Sequence, residues 1–178
     1  MAPFNVRGTD TDVILDLMIH DIDLVLYLAN SKVVDIMASG VSVLSNSLDM
    51  ANARISFDNG CVANLTASRI SDKPLRKLRV FEKRRYLSFD LQNNTYSEYL
   101  VKNNRKNTQT AKLVFEKDNT VVTMKKHIGE KTNALYEELL SFVNSIIKSQ
   151  KVMVNAVDGR SAIEIALLVQ KQINAQQK

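Results

Sequence analysis

The sequence DVILDLMIHDIDLVLY, from Asp12 to Tyr27, combines a regular polar stripe with apolar residues on every other side. At helical spacing the stripe advances by four, four, three and four residues, and it consists of Asp12, Asp16, His20, Asp23 and Tyr27. A helix that is apolar nearly all round is normally buried, and an unpaired carboxylate or imidazole there costs several kcal/mol. We therefore expect the stripe to be paired or to face a cleft, and the Asp16–His20 pair is the first candidate for chemistry.

The pattern beyond this helix predicts an α+β fold. The helix begins near Thr11, its predicted N-cap, and ends near Asn30. Two helices close the chain, Asn133–Ser149 and Asp158–Gln172, the latter with Asp158 as its N-cap. The strands predicted between them are Val33–Ser45, Met50–Phe57, Cys61–Arg69, Leu78–Phe81, Tyr86–Leu91, Thr95–Val101, Lys112–Phe115 and Thr120–Lys125. This order favours a mainly antiparallel open β-sheet with helices packed on one face.

One hairpin can be placed in register. A three-residue loop, 58–60, pairs Ile55 with Ala63 and Ala53 with Leu65, whereas a two-residue loop would put the two apolar faces on opposite sides. The longer loop requires Gly60 in the left-handed region. The small residues on the apolar face predict close helix packing, with Cys61 as a small core residue.

The opposite face of the hairpin is polar but nearly uncharged. Such a surface fits a subunit contact or a ligand wall, and plain solvent exposure is an equally ordinary interpretation. Its residues are Asn52, Arg54, Ser56, Val62, Asn64, Thr66 and Ser68.

Composition narrows the class of protein. A chain of 178 residues with 45% hydrophobic and 24% charged residues is typical of a globular domain. Charged residues interrupt its longest apolar run, so no membrane span is predicted, and the N-terminus has no signal-peptide pattern. The single cysteine, Cys61, excludes a disulfide within the chain and fits a reducing compartment, so we expect a cytoplasmic protein.

The net charge of +5 has a local origin. Eight of the 24 basic residues lie between Arg69 and Arg85. Both a nucleic-acid surface and a solvated edge strand can contain such a run of basic residues. Only two aromatic residues, Phe81 and Tyr86, lie within the run, and no nucleic-acid-binding motif accompanies it. The run therefore favours an edge strand without a nucleic-acid partner.

Motifs for cofactors and metals are absent from the sequence. The five glycines stand far apart, so the chain has neither a G-x-G-x-x-G turn nor a P-loop. His20, His127 and Cys61 are too widely separated to form a zinc set. No strand–helix alternation offers a nucleotide site. We expect neither a metal nor a bound cofactor in this chain alone.

Several segments resemble the Gfo/Idh/MocA family of oxidoreductases. Residues 12–24 look like the D-x-x-x-H helix that opens the C-terminal domain of this family, and residues 53–68 look like its strand–Asn-Gly–strand hairpin. Residues 78–91 resemble the next strand pair of the family, and residues 154–166 resemble its closing helix. The resemblance covers nearly the whole chain in the right order.

The resemblance implies a domain organisation. It identifies residues 1–178 as a single substrate-binding and oligomerisation domain, with a missing N-terminal dinucleotide-binding domain. Within it, 1–10 are an arm, 11–30 the helix with the catalytic motif, 31–127 the β-sheet and 132–174 the C-terminal helices. The resemblance also implies a homodimer or higher homo-oligomer.

The family reaction is reversible oxidation of a sugar or polyol hydroxyl, with hydride passing to NAD or NADP. His20 matches the acid/base histidine of the family and Asp16 its partner carboxylate, and imidazole suits the proton transfer that carbinol oxidation requires. Arg7 could hold an anionic substrate group, and a surface arginine is about as good an interpretation. The stretch 5–23 looks closest to the branch that oxidises nucleotide-activated amino sugars such as UDP-N-acetylglucosamine.

Two alternatives stay open at this point. Asp16 and His20 could be a satisfied core pair without a role in chemistry. The whole chain could be a stand-alone binding or dimerisation module that kept the fold and lost redox activity. By itself the chain is expected to be inactive.

Overall fold

The structure, a computed structural model, describes residues 1–3, 11–103, 111–130 and 132–176. Its elements follow the predicted order of one helix, a run of strands and two helices. The first helix has two parts, a π-helix at Ile14–Met18 and α1 at Ile19–Ala29, and the closing helices are α2 (Ala134–Ile147) and α3 (Ala156–Gln176). The strands are β1 (Val33–Val41), β2 (Met50–Phe57), β3 (Val62–Ser68), β4 (Lys77–Glu82), β5 (Arg85–Asp90), β6 (Thr95–Asn103), β7 (Lys112–Lys117) and β8 (Thr120–Ile128).

The chain divides into two compact units. The first comprises Met1–Pro74 and Ser141–Lys178, and the second comprises Leu75–Leu140. The first contains an antiparallel sheet of order β1-β2-β3, and the second an antiparallel sheet of order β4-β5-β6-β8-β7. The predicted α+β class and antiparallel pairing are confirmed, with the described strands in two sheets. The interpretation of 1–178 as one substrate-binding and oligomerisation domain stays a prediction.

The core of the first unit lies between its sheet and two helices. The first helix and α3 pack against each other and on one face of the sheet, as predicted. Small side chains let them approach closely, and a Cβ at Gly40 would lie 3.1 Å from Cδ1 of Ile173 on α3. The buried residues include Ile14, Met18, Ile22 and Val25 from the first helix, Ala162, Ala166, Val169 and Ile173 from α3, and Ala38, Ala51, Ala53, Ile55, Phe57, Leu65 and Ala67 from the sheet.

The predicted hairpin register is confirmed. Ile55 pairs with Ala63 and Ala53 with Leu65, and Gly60 has a φ of 83°. Cys61, however, is exposed, so its prediction as a core residue is wrong. The side chain of Asn59 in the hairpin loop donates a hydrogen bond to the carbonyl of Ala29 (2.9 Å), where α1 ends. The helix therefore stops at the hairpin loop and does not extend over Cys61.

Two predicted helix caps are one to three residues away from the observed caps. Asp12, not Thr11, caps the π-helix, because its Oδ1 accepts the N–H groups of Ile14 and Leu15, each at 3.0 Å. Asn155, not Asp158, caps α3 by accepting two N–H groups at 2.8 and 3.2 Å. Asp158 accepts the Asn155 N–H in return, which completes a capping box. Neighbouring residues of equal capping ability explain both errors.

The second unit is a sheet whose strands carry rows of stacked rings. His127 stacks on Tyr96 with 4.3 Å between ring centroids, and Tyr96 stacks on Phe89. His127 is half-buried, because the neighbouring ring of Tyr96 covers one of its faces. The basic strand β4 lies at the edge of this sheet, as predicted from the basic run.

Candidate functional site

Asp16 and His20 both lie on the exposed side of the first helix. Asp16 belongs to the π-helix and His20 to the first turn of α1. Both side chains are exposed, that of Asp16 by 48%, whereas Met18 and Ile22 on the opposite side are buried. The expectation that this helix is buried nearly all round is therefore wrong on this side, where Asp16, His20 and Tyr27 of the polar stripe face outward. An outward pair is accessible to a substrate.

Asp12 is the buried member of the polar stripe. Its carboxylate caps the π-helix with one oxygen and accepts a hydrogen bond from the Gln170 side chain of α3 with the other. Only 8% of the residue is exposed. Asp12 therefore holds the start of the helix against α3, and its role is structural.

The π-helix gives this region an unusual local geometry. The N–H of Ile19 bonds to the carbonyl of Ile14, five residues earlier. Such segments are rare, and they occur frequently at functional sites. Asp16 lies inside the wide turn and His20 just after it, so the turn determines how the two side chains are presented.

Arg69 lies beside Asp16, and the sequence interpretation did not place it there. Its side chain is 6% exposed, and its Nη2 donates a 2.6 Å hydrogen bond to the carbonyl of Thr11 and lies 3.9 Å from Oδ2 of Asp16. Its assignment to a solvated edge strand is therefore wrong. A signal was available, because Arg69 follows the buried residues Leu65 and Ala67 at steps of two and so continues the inward face of β3.

Asp49 anchors the main chain of Arg69. The N–H of Arg69 donates to the carbonyl of Asp49 at 3.0 Å. The Asp49 side chain is fully buried and accepts four hydrogen bonds of 2.6 to 2.9 Å, from the N–H groups of Val43, Leu44 and Ser45 and from the Ser45 hydroxyl. Burial raises the pKa of this carboxyl, but the bonds from Leu44, Ser45 and Val43 outweigh burial and hold the pKa well below its usual 3.8.

The other predicted contacts have mixed outcomes. Within the described ranges no hydrogen bond joins the side chains of Asp16 and His20, and the Asp16 carboxylate lies 3.9 Å from the Arg69 guanidinium. Arg7 lies outside the described residues.

In the described part of the chain no group of three His, Cys, Asp or Glu side chains could hold a metal ion. None of the described helices is long and apolar enough to cross a membrane.

This arrangement can carry out acid/base chemistry at an open surface. An accessible imidazole can take or give a proton near neutral pH. The neighbouring carboxylate of Asp16 has the Arg69 guanidinium behind it, at 3.9 Å. A hydroxyl held between these two groups would meet a proton acceptor and a fixed negative charge.

Comparison with known proteins gives a consistent set of relatives. Residues 4–86 match the GFO/IDH/MocA C-terminal domain. Over 175 residues the chain is 38% identical to UDP-N-acetylglucosamine 3-dehydrogenase of Acidithiobacillus ferrooxidans, covering 98% of this chain and 53% of that protein. The chain thus spans about half the length of the relatives it matches.

Solved structures extend the similarity to the fold. A structure of the Acidithiobacillus ferrooxidans enzyme matches 98% of this chain and 52% of its own, with a TM-score of 0.84 and 37% identity. Myo-inositol 2-dehydrogenase of Lactobacillus plantarum, at 18% identity and a TM-score of 0.65, matches 93% of this chain and 47% of its own and shares the fold. Residues 4–86 therefore belong to the GFO/IDH/MocA C-terminal domain family, and the similarity in fold to such proteins extends over nearly the whole chain.

Proposed function

We propose that this chain is the substrate-binding and oligomerisation domain of an NAD(P)-dependent oxidoreductase that oxidises a hydroxyl of a nucleotide sugar. The observation that carries the proposal is the 38% identity to UDP-N-acetylglucosamine 3-dehydrogenase over nearly the whole chain. The outward Asp16–His20 pair supports it, because carbinol oxidation needs a proton acceptor that the substrate can reach. The substrate class we propose is UDP-N-acetylglucosamine or a similar nucleotide sugar.

His20 and Asp16 have separate tasks in this proposal. His20 takes the hydroxyl proton as the alcohol is oxidised and returns it in the reverse direction. Asp16 stabilises the charged imidazole or orients the sugar. Arg7 is proposed to meet an anionic group of the substrate such as a diphosphate. The nicotinamide, when bound, accepts the hydride.

Substitution of His20 tests the catalytic assignment. In the complete enzyme, His20→Asn should leave the melting temperature and cofactor binding nearly unchanged and lower turnover of UDP-N-acetylglucosamine by roughly two to four orders of magnitude, the range for general acid/base groups. Asp16→Asn should also lower turnover.

The core-pair interpretation predicts the opposite balance, with lost stability and normal activity per folded molecule. Melting temperature and turnover measured on one His20→Asn sample separate the two interpretations. Near-normal turnover in the folded variant would contradict the catalytic role.

Cofactor binding provides a second test of the proposed function. The five glycines of the sequence form no phosphate-binding turn, so we infer that the dinucleotide is held by residues outside this chain. Calorimetric titration of the 178-residue chain with NAD and with NADP should show no binding at micromolar concentration. Micromolar affinity for either would overturn this inference.

The alternative function is a stand-alone binding or dimerisation module without redox activity. The exposed site favours neither function by itself, but an acid/base pair has no evident task in a module that only associates. Turnover by the complete enzyme that depends on His20 would exclude the module. We propose a cytoplasmic location, based on the single cysteine and the soluble composition of the sequence.

A further inference from the structure

Arg69 lies behind the Asp16 carboxylate, and we propose that it is a positioning residue that acts through Asp16 in the reaction. The proposal rests on the proposed function, because it needs Asp16 to take part in chemistry. The residue was not among the sequence candidates, and no substrate contact is assigned to it. Its proposed effect is to restrict the direction in which Asp16 presents its charge.

The position of the guanidinium is determined from two sides. Its Nη2 donates to the carbonyl of Thr11 at 2.6 Å, which ties it to the entry of the π-helix. The same nitrogen lies 3.9 Å from Oδ2 of Asp16, inside the π-helix. Only 6% of the Arg69 side chain is exposed, so the guanidinium is shielded from water, whereas the Asp16 carboxylate is 48% exposed and its attraction to the guanidinium is partly screened by solvent.

The base of the Arg69 side chain is equally restricted. The backbone N–H of Arg69 donates a hydrogen bond to the carbonyl of Asp49. The buried Asp49 carboxylate in turn accepts hydrogen bonds from the N–H groups of the β1–β2 loop. Arg69 follows Ser68, a buried residue at the end of β3. The arginine is therefore held at its backbone by the sheet and at its guanidinium by the first helix.

Asp16 needs such a support because it is otherwise exposed. Its side chain is 48% exposed, and no hydrogen bond to His20 restricts it within the described residues. Without Arg69 the carboxylate would sample several rotamers, and a substrate or an imidazolium would meet the productive one less often. The loss should appear in turnover more than in substrate binding.

A double-mutant cycle in the complete enzyme tests the proposal. Arg69→Met removes the charge at similar length, and Arg69→Lys keeps the charge but loses the planar fork. We expect Arg69→Met to lower kcat about tenfold with little change in KM, and Arg69→Lys to recover part of the loss. In an Asp16→Asn background the same changes should lower kcat less than about twofold, because the residue through which Arg69 acts is already neutral.

A purely structural role predicts a different result. If Arg69 only ties the end of β3 to Thr11, Arg69→Met will lower kcat equally with and without Asp16, or only reduce the folded fraction. Either result would overturn the proposal, as would normal kcat in the Arg69→Met enzyme. If Arg69→Met does not fold, Arg69→Lys decides in the same way, and failure of both to fold would assign Arg69 to folding alone.

Two further measurements distinguish failure of the positioning role from failure of the proposed function. Urea unfolding of the 178-residue chain should show non-additive effects of Arg69→Met and Asp16→Asn, and additive effects would mean that the two side chains do not interact. His20→Asn in the complete enzyme tests the proposed function itself. Full turnover of that variant would show that the proposed function has failed, whereas lost turnover together with additive Arg69 and Asp16 effects would show that only the positioning role has failed.

Discussion

At the scale of single residues, Asp49 shows how a buried charge can organise a loop. Its carboxylate accepts hydrogen bonds from Val43, Leu44 and Ser45, so three N–H groups that follow β1 converge on one side chain. A buried carboxylate is tolerated only when its lone pairs are satisfied in this way. Because the same residue also holds the backbone of Arg69, its effect extends to the candidate site.

Asp49→Asn should lower the free energy of unfolding by about 2 to 4 kcal/mol at pH 7, because an amide replaces a charged acceptor of four hydrogen bonds. The pKa of Asp49 is lower in the folded protein than its usual 3.8. The stabilisation is therefore complete above 3.8 and declines as the pH falls below it, by up to about 1.4 kcal/mol per pH unit. Urea unfolding at a series of pH values measures both effects.

The matched control for Asp49 is Asp35→Asn, on the exposed side of β1. This change should alter the free energy of unfolding by less than about 0.5 kcal/mol. A difference between the natural protein and Asp49→Asn that stays constant from pH 7 down to pH 2 would contradict the assigned charge state.

At the scale of elements, the two closing helices differ in how they depend on their caps. Asn155 caps α3, which buries Ala162, Ala166 and Val169 in the core of the first unit. Asn133 accepts the N–H of Tyr136 at the start of α2, which has no buried residue. A cap should affect global stability only where the helix is part of the cooperative core.

Asn155→Ala should lower the free energy of unfolding by about 1 kcal/mol, the usual loss for an N-cap. Asn133→Ala should fray α2 and reduce the helical circular dichroism signal without moving the urea midpoint. We assign α3 to the core and place α2 outside it. Equal shifts of the urea midpoint in the two variants would contradict this assignment.

At the scale of the whole molecule, the outer face of the three-stranded sheet is the proposed contact between copies. Its polar side chains pair with each other across the strands, Arg54 with Asn64 at 3.0 Å and Thr66 with Asn52 at 2.7 Å. These pairs satisfy polar groups of Asn52, Asn64 and Thr66, so these neutral side chains can be covered at little cost in desolvation, whereas Arg54 keeps its charge and suits the rim of a contact.

We predict a homodimer or higher homo-oligomer through this face. Light scattering at micromolar concentration should give a mass above 20.0 kDa, the mass of one chain. Thr66→Arg should shift the protein towards the monomer by placing a charge in the contact. Thr120→Arg, at the exposed start of β8, is the control and should not. A 20.0 kDa species alone would rule out this assembly.

The sequence by itself determined the order and nature of the elements, the hairpin register and the spacing of Asp16 and His20 along the first helix. These features depend on local periodicity and turn geometry, which a single chain segment expresses before it meets any other. The glycine at position 60 is one example, since the alternation on both sides of it allows only one register.

Only the tertiary structure decided which residues meet across the chain. The contact of Arg69 with Asp16 joins the end of β3 to the π-helix, and the convergence of three N–H groups on Asp49 depends on the path of the loop after β1. The caps at Asp12 and Asn155 likewise depend on where a backbone N–H points. Such contacts are set by packing between distant segments, and a linear pattern contains no distances between them.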